Sequence, residues 1–211
     1  MDYASVQPGP ARNDTQYYDN YFAMSAAVGN DLPTTAGCAN GAALWGVTSY
    51  MNDFNPRSKT ELGPSRYLGF PGVIVRSSYL VSGMGAAPKL LDYDPPVKVS
   101  KITDGTSKTL MVFEKRLMPP YTPGSVPEDD RGWSDGHDFD VTRTTLCVPH
   151  QDSTQNVIRD RNKYTPGSAH SAGLHAVFAD GSVTTLDYTI DIHTFNRLGH
   201  RADGEDVSVP R

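Results

Sequence analysis

The stretch SAHSAGLHAVFADGSVTTLDYTID, residues 168–191, decides how this chain is read. Polar and apolar residues alternate from Leu174 to Ala179, Asp180-Gly181 interrupts, and Ser182 to Tyr188 runs back. Alternation on both sides of an Asp-Gly pair marks a β-hairpin, because a two-residue type I′ turn needs φ > 0 at both central positions. That register sets Phe178 opposite Val183, Ala176 opposite Thr185 and Leu174 opposite Asp187. His175, Leu186, Val177 and Thr184 fall on the other face. Both faces are then partly apolar, which places the hairpin inside a sheet. Asp191 follows as the cap of a short helix, IHTFNRLG (192–199), ended by Gly199.

The rest of the chain suits a loop-rich, sheet-dominated domain. Its 211 residues fit one domain, with 37% apolar residues, 19 glycines and 16 prolines. The net charge of −5 and the absence of a dense Lys/Arg cluster argue against nucleic-acid binding. No apolar run is long enough for a spanning helix, and no signal peptide is recognisable. Residues 1–33 are polar and tyrosine-rich with no sustained period, and 36–54 read as a weak helix or an irregular buried segment. Residues 55–72 form a surface loop, VIVRSSYLV (73–81) a strand, and 90–116 several pieces. These are a turn at Pro95-Pro96, a short extended stretch, a turn at Asp104-Gly105 and a strand from Thr109 to Lys115. Residues 117–140 are a long acidic loop rich in proline and glycine, the kind that serves a function or moves. Cys38 and Cys147 are too far apart in sequence for a zinc half-site; they are either one disulfide in an oxidising compartment or two buried thiols.

Three chemistries are suggested by residue type. AHSAG (169–173) imitates a nucleophile elbow, with Asp191 and His193 or His200 following in hydrolase order. An elbow needs a strand before the serine and a helix after it, whereas here a glycine-proline loop precedes and a strand follows. A metal on His170, His175 and Asp180 meets a different objection: in an extended segment, residues five apart point to opposite faces. Loop histidines bonded to turn backbone are the simpler reading. Glu128, Asp129, Asp130, Asp135, Asp138 and Asp140 offer oxygens to calcium, but without the spacing of a calcium loop. Acidic loops of this kind are ordinarily solvated.

The same residues carry a family resemblance. With nine residues between His170 and Asp180-Gly181, the 168–205 stretch resembles the H-x9-DG signature of the DUF1559 proteins, a planctomycete-type set of prepilin-like proteins. ITDGTSKTLMVFEKR (102–116) is similar to that family's ITDGTSNTL…E block, with Lys108 where asparagine is usual. MDYASVQPGPA (1–11) and Trp133-Ser134-Asp135-Gly136 match further stretches in the expected order. The resemblance implies a type IV pilin or type II secretion pseudopilin-like protein of the bacterial cell envelope, matured by a prepilin peptidase. Members begin with a basic leader, a cleavage motif and a long apolar helix, which this sequence does not contain, so it is expected to be either the soluble head alone or a shortened relative.

The expectation is therefore an α+β, mostly antiparallel, pilin-like head: one domain over 1–211, with the acidic loop at 117–140 and the H-x9-DG segment at 165–205. It is non-enzymatic and needs no cofactor or metal. Partners would be other pilin-like subunits or secretion-system components, and the membrane would be reached only through the missing helix. His170, Asp180, Gly181, Asp104, Gly105, Ser107 and Glu114 are expected to specify the fold. Gly181 would supply φ > 0, and His170 would pin the loop before the hairpin. One sheet face, built for the long helix, would be open, occupied by a partner, or covered by residues 36–54. The alternative is a secreted module for calcium or an extracellular polysaccharide, using the 117–140 loop and Trp45, Tyr67 and Trp133.

Overall fold

A computed structural model describes residues 3–8, 72–75, 79–82, 89–93, 96–117, 141–145, 149–152 and 165–210. Its strands are β1 (Tyr3–Gln7), β2 (Tyr79–Ser82), β3 (Lys89–Tyr93), β4 (Leu110–Glu114) and β5 (Thr142–Thr144). β6 (His150–Gln151), β7 (Gly167–Ser168), β8 (Leu174–Phe178) and β9 (Val183–Leu186) follow, then one helix, α1 (Ile192–Gly199). Five strands form the main sheet in the order β5-β1-β4-β8-β9, and β2-β3 and β6-β7 form separate two-stranded pairs. Within the main sheet β5 runs parallel to β1 and the other neighbours are antiparallel. This is a small, mostly strand α+β fold with a mixed sheet and no closed barrel.

α1 lies where the sequence places it. The Asp191 carboxylate accepts from the backbone N–H of Thr194 at 2.8 Å, meeting one of the orphan donors of the first turn. Ile192, Phe195 and Leu198 recur at helical spacing and are buried against the sheet. With Val6, Leu110, Phe113, Leu174, Ala176, Phe178, Leu186 and Val207 they make one core, in which the rings of Phe113 and Phe195 stack at 6.0 Å. Gly199 is the last helical residue, but no left-handed cap follows, because His200 is extended. Glycine is needed there for close approach: a Cβ would sit 3.0 Å from both Pro8 and Thr145.

The hairpin forms, but its register is shifted by one residue. Leu174 pairs with Leu186, His175 with Thr185, Ala176 with Thr184 and Val177 with Val183. The reason is loop length. The N–H of Gly181 bonds the Phe178 carbonyl, and the N–H of Phe178 bonds the Ser182 carbonyl, both at 2.9 Å. Three residues thus bridge the strands, with Gly181 at φ +86°, the turn-plus-bulge geometry rather than the two-residue type I′ turn. A slip of one residue moves every β9 side chain to the other face. Leu186 consequently joins Leu174 in the core, and Val183 ends 64% exposed opposite Val177. The core face carries Leu174, Ala176 and Leu186, while the other keeps the Val177–Val183 pair beside His175 and Thr185.

Two further corrections concern the edges of the sequence reading. The first residues, read as polar and without period, form β1 inside the main sheet between β4 and β5, with Ala4 and Val6 buried. Residues 72–74, read partly as strand, are a bend, and the Arg201 guanidinium donates to the Gly72 carbonyl at 2.7 Å. The short extended stretch before Asp104 contains a single 3-10 turn, Val99–Lys101.

The expectations for 36–54, for residues 118–140, for the Cys38–Cys147 pair and for Trp45, Tyr67 and Trp133 fall outside the described residues. Among the described residues, no helix is long and apolar enough to cross a membrane.

Candidate functional site

On the face of the sheet away from α1, Glu114 ends β4 beside the start of β8, since Phe113 pairs with Ala176. Its carboxylate is turned inward and its side chain is only 10% exposed. A buried carboxylate must be compensated. The backbone N–H of His175 donates to Glu114 Oε2 at 2.7 Å, and the ring Nδ1 of His175 lies 3.3 Å from the same oxygen. Nε2 of His170 lies 3.4 Å from Oε1. The two imidazole rings meet edge to face with centroids 4.7 Å apart.

His170 reaches this position because the chain between it and β8 is not extended. The N–H of His170 donates to the Ser168 hydroxyl at 3.0 Å, and that hydroxyl donates to the Gly173 carbonyl at 2.9 Å. Gly173 has φ +152°, and a Cβ there would collide with the Leu186 carbonyl oxygen. The Tyr188 hydroxyl closes the loop from outside. It lies 2.7 Å from the His170 carbonyl and 3.1–3.2 Å from the carbonyls of Ser168 and Gly173. Burial raises the Tyr188 phenol above its ordinary value, and the negative charges of Asp152 and Glu114 add to that. The objection that His170 and His175 must point apart therefore fails, since it assumed an extended backbone. Asp180, the third ligand of that reading, is at the far end of the hairpin.

The remaining expected residues are occupied in turns. The Asp180 carboxylate accepts from the N–H and hydroxyl of Ser182 at 2.9 and 2.6 Å, bonds that hold it below the usual carboxylate range. The hairpin turn docks on the other block through its backbone, with the N–H groups of Ala179 and Asp180 donating to the carbonyls of Thr109 and Thr106. Asp104 accepts from the N–H groups of Asp203 and Gly204 at 2.6 and 3.0 Å, tying the C-terminal segment to the same turn. Gly105 has φ +102°, and its carbonyl accepts from the Thr109 hydroxyl. Ser107 is exposed there, and Lys108 pairs with Asp206. Asp191, the acid of the hydrolase reading, is the helix cap.

β6 pairs with β7 and carries His150, whose imidazole is pushed below its ordinary value by partial burial and then by the Arg116 guanidinium. Arg116 itself is lowered by burial, with the Asp152 charge opposing. The sequence offered His175 as a metal ligand with His170 and Asp180, a reading set aside on the extended-strand argument, whereas Glu114 as their shared partner and the supporting Ser168 and Tyr188 were not singled out. The available signal was the Ser-x-His-x-x-Gly run before an alternating strand, a polar residue and a glycine placed to fold the loop back.

Glu114, His170 and His175 are a group among the described residues whose donor atoms all lie within 4.8 Å of one another, close enough to share protons or hold one cation. The fold and site define a small α+β domain whose two turn-bearing blocks meet on one sheet and bring a carboxylate under two imidazoles. The chain belongs to the DUF1559 family: the family model described as "Protein of unknown function (DUF1559)" matches residues 9–193. No curated protein and no solved structure matches it.

Proposed function

We propose that this chain is a structural, non-enzymatic protein of the bacterial cell envelope, the extracytoplasmic head of a pilin- or pseudopilin-like subunit. The supporting observation is how the family's signature residues are used. Asp104, Asp180 and Gly181 close turns, and those turns dock on one another through backbone hydrogen bonds. Side chains spent in this way hold together the turns at one end of the sheet, a use that supports a structural role. The chain belongs to the DUF1559 family, and the resemblance of its signature blocks to prepilin-like proteins supports an envelope location, with other pilin-like subunits or secretion-system components as partners.

The test is fractionation of source cells with an antibody to this chain, combined with crosslinking in intact cells. Recovery in the envelope fraction, crosslinked to pilin-like subunits, is the expected result. Recovery in the cytosol without such crosslinks would overturn the proposal.

A further inference from the structure

We propose that Glu114, His170 and His175 bind one divalent first-row transition ion of the zinc class. The contacts of 3.4 Å from His170 Nε2 to Oε1 and 3.3 Å from His175 Nδ1 to Oε2 are long for hydrogen bonds. The His170 Nε2–Oε1 contact has the length of a tetrahedral edge, which at zinc–nitrogen and zinc–oxygen bonds of ~2.0–2.1 Å is about 3.3–3.5 Å, and one donor atom from each of the three residues lies within 4.8 Å of the others. Two imidazoles and one carboxylate are a donor set that suits zinc, cobalt or nickel. Calcium and magnesium, which take oxygen ligands, fit it poorly.

The surroundings hold the ligands in place. The backbone N–H of His175 grips Oε2 of Glu114 and leaves Oε1 turned toward His170, the orienting bond that metal-binding carboxylates characteristically have. Among the described residues, the partners of this carboxylate are that N–H and the two imidazoles. Among those residues, its charge faces the two histidines. The Ser168 and Tyr188 hydroxyls hold the loop that presents His170. Both imidazole side chains are about half exposed, at 55% and 42%, so an ion enters from solvent and keeps a coordination position for water or a partner's side chain. This claim concerns the site alone and stands apart from the structural role proposed above.

The experiment is calorimetric titration of the tag-free full chain with zinc chloride, alongside cobalt(II) loading read by visible absorption. One zinc per chain is expected, with affinity in the micromolar range or tighter, and a cobalt band typical of four- or five-coordination. His170→Ala should weaken binding tenfold or more and abolish the cobalt band. His193→Ala, a histidine on α1, should leave both unchanged. His170 is exposed, so its variant tests the site without disturbing the core. His175→Ala and Glu114→Gln should lose zinc in the same way wherever circular dichroism shows them folded. Absence of zinc binding by the wild type, or binding unchanged in His170→Ala, would overturn the proposal.

Discussion

Nε2 of His170 lies 3.4 Å from Oε1 of Glu114. This contact joins the two blocks by which the family resemblance is recognised, one ending in β4 and the other opening β8. It exists because β4 and β8 are neighbours and because the loop before β8 folds back over them.

Tyr188 holds that loop without belonging to the cluster. Tyr188→Phe removes a hydroxyl that reaches three carbonyls and should cost about 1–2 kcal/mol, seen as a lower denaturant midpoint. His170 amide hydrogens should exchange faster in the variant while those of β4 stay protected. Unchanged stability and exchange would show that Ser168 alone suffices.

Two glycines should respond differently to a methyl group. At Gly181, φ is +86° and a Cβ would meet nothing within 4 Å, so alanine costs backbone strain only, about 1 kcal/mol. At Gly173, φ is +152° and a Cβ would strike the Leu186 carbonyl. Alanine there combines strain with a backbone clash, upwards of about 3 kcal/mol. Thermal melts of the two variants should be clearly separated, and equal losses would contradict this packing.

Stability should also depend on pH through Asp203. Burial chiefly, with the neighbouring Asp104 carboxylate adding to it, pushes its carboxyl up to about 6, and its buried Oδ2 meets no donor. A raised folded-state value means the contribution is fully present below about pH 4, the ordinary carboxyl range. It is lost as pH rises through about 6. Asp203→Asn keeps an acceptor for the Glu205 N–H and supplies a donor permanently. It should raise stability at pH 8 by about 1 kcal/mol after solvent screening, read as a higher melting temperature, and change little at pH 4. A loss of stability at pH 8 would refute the assignment.

Phe195 is the centre of the helix–sheet contact, fully buried and stacked on Phe113. Phe195→Ala should destabilise by about 3–5 kcal/mol in urea unfolding. A change below about 1 kcal/mol would mean that α1 contributes little to the core.

The parts legible in the sequence were those set by local geometry. Alternation around Asp180-Gly181 specifies two strands and a turn, and Asp191 with the apolar spacing after it specifies α1, because each rests on contacts a few residues apart. The α+β class follows from the same elements. Tertiary structure decided the rest. The hairpin register turned on one extra loop residue, and that residue sent Leu186 inward and Val183 outward. β1 looked like a polar lead-in because only Ala4 and Val6 face the core, and strands β4 and β5 must flank it before its backbone is paired. The cluster of Glu114, His170 and His175 was hidden for a related reason. A side-chain period predicts where residues point only while the backbone stays extended, and the Ser168–Gly173 loop does not. Its hydrogen bonds to Tyr188, and the pairing of β4 with β8, are long-range contacts that no local pattern encodes.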